Sequence, residues 1–425
     1  MSTSSKNKGH LVSRKVKKKL QGAIEIVILS GYIVGNNTYA ASSPDDTINP
    51  YVASSILYDS NFLRLGKNVN PLLVTGKNTT SEIIKTVTAG VNADWQFFSR
   101  QHFLINANVN QNWFQNLTGL DYTGWNTEAK WNWVAGNYLS GNLGYKNQET
   151  MGSFSQLNGL VSNMLNTQSY YGSGGYLFHP SGKVSVGFTR TDTVYDSITR
   201  RASNSILDDY QINLQYIKPT GDTIGLRFIL ENGQYPQREY TSTSTIDNSF
   251  TSYNYALTSS YQALEKIKVD GYAGIIQQNY VHLSVRDFTT WIAQIGLDWA
   301  MTEKTSMNLL VARNVMQSTN LYATFQSTQG VTLKPTWKAT PKFALSLPLS
   351  YQQIQYLGNT GFDAAILQNQ DYNDYTSSRV GMTMSYQPLD NLSIGGQLNY
   401  EKRDSQNLNR SFVDESAGLN IQAKF

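Results

Sequence analysis

From about Pro50 to Phe425 apolar and polar positions alternate with a period of two. Phe103, Ile105, Ala107 and Val109 alternate with Leu104, Asn106, Asn108 and Asn110. Trp125, Ala129, Trp131 and Trp133 alternate with Asn126, Glu128, Lys130 and Asn132, and Trp291, Ala293, Ile295, Leu297 and Trp299 with Ile292, Gln294, Gly296 and Asp298. Phe343, Leu345, Leu347 and Leu349 alternate with Ala344, Ser346, Pro348 and Ser350. Successive side chains of a strand point to opposite faces, so each run predicts a strand with one apolar and one polar face. No stretch beyond residue 40 shows helical periodicity.

The breaks between strands are of two kinds. Short ones fall at 99–101, 135–137, 179–182, 219–222, 263–266, 302–304, 339–341 and 388–391. Longer polar ones fall at 65–81, 116–123, 149–164, 194–206, 232–248, 280–287, 317–322, 357–373 and 404–410. Short and long alternate strictly, as in an up-and-down transmembrane barrel with short periplasmic turns and long outer loops. Eight turns and nine loops separate 18 strands. The fold class expected is therefore all-β: a transmembrane antiparallel up-and-down β-barrel of about 18 strands. Pro335 and Pro348 fall inside its fourteenth and fifteenth strands, where a closed wall has no free edge, so bulges or local ladder gaps are expected there. The thirteenth strand has ambiguous facing, because Leu309 and Leu310 lie on opposite sides.

The first 40 residues read differently. Lys6, Lys8, Arg14, Lys15, Lys17, Lys18 and Lys19 precede a short apolar stretch, Ala23 to Val34, interrupted by Glu25. Small residues at Thr38 and Ala40 complete a secretory signal with cleavage after Ala40. The apolar stretch is shorter than the roughly 20 residues a membrane span needs. The division expected is a signal peptide (1–40), a short periplasmic segment (41–49) and a barrel (50–425). The whole chain carries 34 basic and 30 acidic residues. Residues 1–40 hold seven of the former and one of the latter, so the remainder has a net charge of −2. That excludes a basic nucleic-acid-binding surface. The absence of Cys removes disulfides, thiolate metal sites and Cys nucleophiles.

In a membrane the apolar face must look outward. The lumen then receives Asp94, Asn106, Asn108, Asn110, Glu128, Lys130, Lys146, Arg227, Glu231, Asp298, Lys334, Lys338, Arg379, Glu401 and Arg403. Their charges are mixed, which suits a neutral or weakly charged passenger, since a lining of one sign concentrates the opposite one. Each could equally pair across the lumen as a strut. The eight tryptophans share the outward face and fit interfacial girdles, which leaves lumenal Asn and Tyr, Tyr272 among them, as candidates for contacting sugars. His282 lies in an outer loop near Asp287, the pairing that a rim hydrolase would need, with Asp196, Asp208 and Asp209 at another loop. No phosphate-binding GxxxxGK[ST] loop and no metal-ligand spacing occurs. Neither catalysis nor a cofactor is expected.

A family resemblance adds to this. Leu120-Asp121-Tyr122-Thr123-Gly124 runs through Trp131-Asn132-Trp133 to Gly136-Asn137-Tyr138-Leu139-Ser140-Gly141-Asn142-Leu143-Gly144-Tyr145. Other patches are Tyr58-Asp59-Ser60-Asn61, Thr86-Val87-Thr88-Ala89-Gly90-Val91, Tyr235-Pro236-Gln237-Arg238 and Arg286-Asp287-Phe288. Pro335-Thr336-Trp337 with Thr340-Pro341-Lys342, and Tyr386-Gln387-Pro388-Leu389 with Asn391-Leu392, complete the set. Together they resemble the EpsL-like outer-membrane proteins of exosortase-associated exopolysaccharide clusters. None is a catalytic signature, and this chain is richer in Asn, Tyr and Thr and poorer in Arg than the family pattern. The resemblance implies a barrel in the outer membrane that assists export of a secreted polysaccharide. Its partners would be outer-membrane lipid, periplasmic or inner-membrane export components that supply energy, and the barrel-assembly machinery, which would read a last strand ending in Phe425. The alternatives are a general porin for small solutes and a structural or adhesive surface barrel. A gate, where present, is expected from loops 149–164 or 357–373.

Overall fold

The structure, a computed structural model, describes residues 48–154, 160, 163–238, 240–241, 244–245, 247–317, 323–358 and 374–425. The expected signal peptide lies outside them, as does most of loop 357–373.

Eighteen antiparallel strands form the wall. They are β1 (Ile48–Asp59), β2 (Glu82–Phe98), β3 (Gln101–Phe114), β4 (Tyr122–Ala135), β5 (Leu139–Met151) and β6 (Met164–His179). There follow β7 (Gly182–Tyr195), β8 (Ser205–Ile217), β9 (Thr223–Gln234), β10 (Phe250–Leu264), β11 (Ile267–Tyr280) and β12 (Phe288–Trp299). The last six are β13 (Thr305–Gln317), β14 (Phe325–Thr340), β15 (Phe343–Ser346 and Leu349–Leu357), β16 (Tyr375–Leu389), β17 (Leu392–Ser405) and β18 (Phe412–Lys424). Each strand pairs with its neighbours in sequence, and β18 pairs with β1 from Lys424 opposite Tyr51 to Ser416 opposite Asp59. The sheet is therefore closed, and every backbone group along most of the wall finds a partner within it, the condition for crossing a bilayer. The described loops add one short helix, Pro71–Thr75, and several single 3₁₀ turns.

The two prolines meet at one seam. β15 is interrupted at Leu347–Pro348, yet the register on either side is unshifted: Ser346 faces Thr336 and Leu349 faces Leu333. Pro348 has no N–H to give and Pro335 none to return, so the ladder opens by a gap without a bulge. The neighbouring amide of Leu347 still donates to the Pro335 carbonyl at 3.0 Å.

Registered neighbours share a face, so the ladder assigns every side chain to the inside or the outside. Outward positions hold large exposed apolar groups such as Val186, Leu226, Leu257, Ile295 and Leu419. Trp95, Trp131, Trp133, Trp299 and Trp337 face outward near the short turns, and Trp113, Trp125 and Trp291 near the long loops. These are the two girdles. Outward charges among the described strands, such as Lys85, Arg190, Asp192, Asp208, Lys402 and Asp404, lie only toward the long-loop end. Ion pairs Arg190–Asp192 (3.2 Å) and Lys402–Asp404 (2.6 Å) sit in this belt, beyond the apolar band and at the level of lipid headgroups.

Candidate functional site: the lumen

All fifteen lumenal candidates share the inner face. Glu128 stands opposite Lys146 and Asn106, Lys130 opposite Leu104, Asp298 opposite Lys268, and Arg379 opposite Glu401. Several are braced. Tyr171 on β6 donates to Glu128 across β5 at 2.7 Å, and Arg379 bonds Glu401 at 2.9 Å. The Arg227 guanidinium lies 4.4 Å from the Tyr272 ring centre, and that of Arg403 4.1 Å from Tyr375. Asp94 meets His102 at 3.0 Å near the periplasmic mouth.

Sequence reading missed eight further inner-face charges: Asp59, Glu82, Lys183, Asp209, Lys268, Asp270, Asp414 and Lys424. With them the described inner wall carries ten acidic and ten basic side chains. Strand parity would have found most of them. Asp59, Glu82 and Asp414 lie at or next to strand ends, where the alternation gives out. There Arg64 spans the buried carboxylates of Asp59 (2.9 Å) and Asp414 (3.0 Å). Glu82 accepts the amides of Asn116 and Leu117, both at 2.8 Å. Asp208 and Asp209, adjacent in sequence, part company: Asp208 faces out to Arg190, Asp209 in toward Glu231.

The hydrolase-like pairing at the rim does not form as expected. Asp287 accepts the Tyr280 amide at 2.7 Å, and His282 pairs with Asp247 at 3.2 Å. Asp287 is used as a turn cap, so it is not the partner of a general base.

Two sides of the lumen differ. On β2, β3 and β4 the inner face is a band of carboxamides: Asn92, Asn106, Asn108, Asn110, Asn112 and Asn126. Asn106 donates to Asn92, Asn108 to Asn106, and Asn112 to Asn110 at 2.6 Å. At its foot, near the periplasmic mouth, a groove of about 310 Å³ is lined by Asn49, Asn92, Asp94, Asn106, Glu128, Lys130 and Lys424.

The other side is covered. β12 and β13 pair only up to Ala293 opposite Arg313, although both strands continue. Above that point β13 and β14 run on as a paired hairpin that leaves β12 and leans across the inner face of β10–β12. Val315 packs on Ala256, Tyr272 and Ile292, and Phe325 stacks on Phe288 with centroids 4.2 Å apart. Tyr272 donates to Asn314 at 3.0 Å, Tyr280 to the Thr324 carbonyl at 2.9 Å, and Arg286 to the Ala323 carbonyl at 2.9 Å. Tyr235 donates to Gln317. Burial pushes the Tyr235 hydroxyl up to about 12, against the pull of the Arg238 cation over its ring, so it remains a donor at any physiological pH. The abandoned edge of β12 is met by Arg313, whose guanidinium bonds the Trp291 carbonyl and lies 4.3 Å from the Trp291 ring centre. The break starts beside the outer girdle, where water can serve unpaired backbone, so it carries no membrane penalty. Loop 357–373, one of the two expected to gate, lies almost wholly outside the described residues, and this hairpin is an inward element that the alternation did not predict. The described part of loop 149–164 packs Phe154 into a buried cluster at the outer mouth with Phe62, Leu63, Leu65, Leu120 and Phe114, the last on the inner face of β3.

A closed wall, apolar and aromatic outside, polar and water-exposed inside, has one solvent that fits it. The chain is a bacterial outer-membrane β-barrel.

Comparison with known proteins agrees at the level of fold. Residues 228–425 match the family described as "Putative beta-barrel porin 2". No curated protein matches the barrel's sequence. Among solved structures, the FrpB iron transporter from Neisseria meningitidis superposes with a TM-score of 0.50 at 9% identity, over 90% of this chain and 83% of that one. Pseudomonas aeruginosa OccK2 (OpdF) gives 0.48 at 10% identity over 89% and 98%. A BenF-like porin from Pseudomonas fluorescens gives 0.47 at 11% over 89% and 99%.

Proposed function

We propose that this barrel is a passive outer-membrane channel for small polar solutes. The observation that carries the reading is the lumen: an inner wall of carboxamides, hydroxyls and balanced charges, half-exposed on one side and narrowed on the other by the β13–β14 hairpin. Such a wall replaces part of a polar solute's hydration without holding either sign of charge strongly. The family match over the second half of the chain supports it. Passive movement also needs no nucleotide site, and the chain has no phosphate-binding loop. The test is reconstitution of the purified barrel in planar bilayers and in liposomes challenged with sugars of graded size. Stepwise conductance and swelling that falls off with solute size are expected. A sealed bilayer and no swelling would overturn the reading.

A second reading, a conduit for a secreted polysaccharide, is favoured by the EpsL-like patches described above. It asks more of the structure, because a polymer would have to pass the in-folded hairpin. Fractionating the polymer of a deletion strain tests it: accumulation in the periplasm with loss outside supports the conduit, and unchanged secretion removes it.

A further inference from the structure

We infer that the carboxamide band on β2–β4 is the channel's recognition surface, and that it takes neutral polyhydroxylated solutes, meaning uncharged sugars and short oligosaccharides. The inference rests on the channel reading above and gives it a substrate class.

Position comes first. Asn106, Asn108, Asn110 and Asn112 follow one another at every second residue of β3, a track of about 20 Å at ~3.4 Å per residue. Asn92 and Asn126 extend it onto the two neighbouring strands. Asn92, Asn106, Asn108, Asn110 and Asn126 are half-exposed, whereas Asn112 at the outer end of the track, like Ala256, Tyr272 and Ile292 on the covered wall, is under a tenth exposed. The in-folded hairpin therefore leaves the track as the side along which a solute must pass.

Chemistry comes second. A carboxamide offers donors and an acceptor on one planar group, and a sugar hydroxyl both donates and accepts. The bonds among the asparagines orient them without exhausting them. Among the described residues Asn92 and Asn110 accept in side-chain bonds and donate in none, so their N–H groups remain for a passenger. The track itself carries no charge. The acids at its foot are occupied, Asp94 by His102 and Glu128 by Tyr171. Charges of both signs meet only at its foot, where Lys130 and Lys424 line the groove with Asp94 and Glu128, so neither a cation nor an anion is favoured along it.

Cost comes third. Asn is a poor strand residue, on a scale spanning ~1 kcal/mol. The inner face of β7 does the same lumenal duty with Ser185, Thr189, Thr191 and Thr193. A mere polar lining did not require Asn at six adjoining positions, whereas hydroxyl recognition explains them.

The test is current recording on single reconstituted channels titrated with maltotriose and with a trigalacturonate of similar size. Three variants accompany the wild type: the triple Asn106→Val, Asn108→Val, Asn110→Val; the same three positions changed to Gln; and a control, Thr189→Val with Thr191→Val. Heat-modifiable migration on gels confirms that each is folded. Maltotriose is expected to interrupt the wild-type current saturably, with the charged trisaccharide about tenfold weaker. The Val triple should lose about tenfold in maltotriose affinity, while the Gln triple and the control keep it. A conducting wild type without saturable interruption by maltotriose, or a Val triple that binds as well as wild type, overturns the inference and leaves the channel reading standing. A wild type that does not conduct overturns the channel reading and this inference with it.

Discussion

At the scale of single residues, the outer loops reuse one device. Asp121 accepts the Phe114 amide (2.7 Å), Asp287 that of Tyr280 (2.7 Å), Asp374 that of Tyr356 (2.8 Å) and Asn204 that of Tyr195 (2.8 Å). In each case the residue just before a descending strand takes an N–H at the top of the ascending one, which the ladder leaves without a partner. Asp121-Tyr122 and Arg286-Asp287-Phe288 are also among the patches that carry the family resemblance, so those patches mark loop closure, not chemistry. Replacing Asp287 with Ala strands the Tyr280 amide at a cost of about 1–3 kcal/mol. The expected readout is faster proteolytic nicking within 281–287 with the barrel itself intact. Arg64 is a costlier position. It holds φ at 54°, against roughly 1–2 kcal/mol of strain, because its guanidinium bridges two nearly inaccessible carboxyl groups. Arg64→Ala should lower unfolding stability in detergent by about 3 kcal/mol, as measured by urea titration; a change within error would show that Asp59 and Asp414 need no counter-ion.

At the scale of elements, the β13–β14 hairpin decides the shape of the lumen. The strand alternation placed it in the wall, and its lower half is there. Its upper half stays paired to β15 up to Phe325 opposite Leu357 but parts from β12, because Val315 and Phe325 find apolar partners on β10–β12, a contact between segments far apart in sequence. The ambiguity of Leu309 and Leu310 was the one local sign that this strand is unusual, and it lies below the point of departure. Arg313 and Gln329 face each other there, so replacing residues 314–328 by a short turn keeps the ladder below and frees only Ile354–Leu357 of β15 from their β14 partners. That variant should conduct about twofold more than wild type in planar bilayers. Equal conductance would show that the hairpin does not limit the path. The prolines behave as their chemistry requires: two residues without N–H groups at one seam yield a gap with the register kept.

At the scale of the whole molecule, the inner charges balance. A lumen with as many acids as bases has little net field along its axis, even where individual pairs are strong. Permeability to potassium and chloride should therefore agree within about threefold, read from the reversal potential in a salt gradient. A strongly selective channel would mean that the braced pairs, such as Arg379–Glu401, present one sign to the path and hide the other.

Much of this was legible in the sequence, for a physical reason. Lipid outside and water inside impose opposite chemistry on successive residues, so period-two alternation, strand count, girdles and the inner face of Asn106, Glu128 or Arg379 follow from local pattern alone. Strand ends were harder, since Asp59, Glu82 and Asp414 serve loops instead of the pleat. What only the tertiary structure decided was which parts of the inner face meet water. The departure of β13–β14 from β12, the burial of Tyr272 beneath it and the half-exposed asparagine track opposite depend on contacts between strands that are not ladder neighbours, and no periodicity along the chain encodes those.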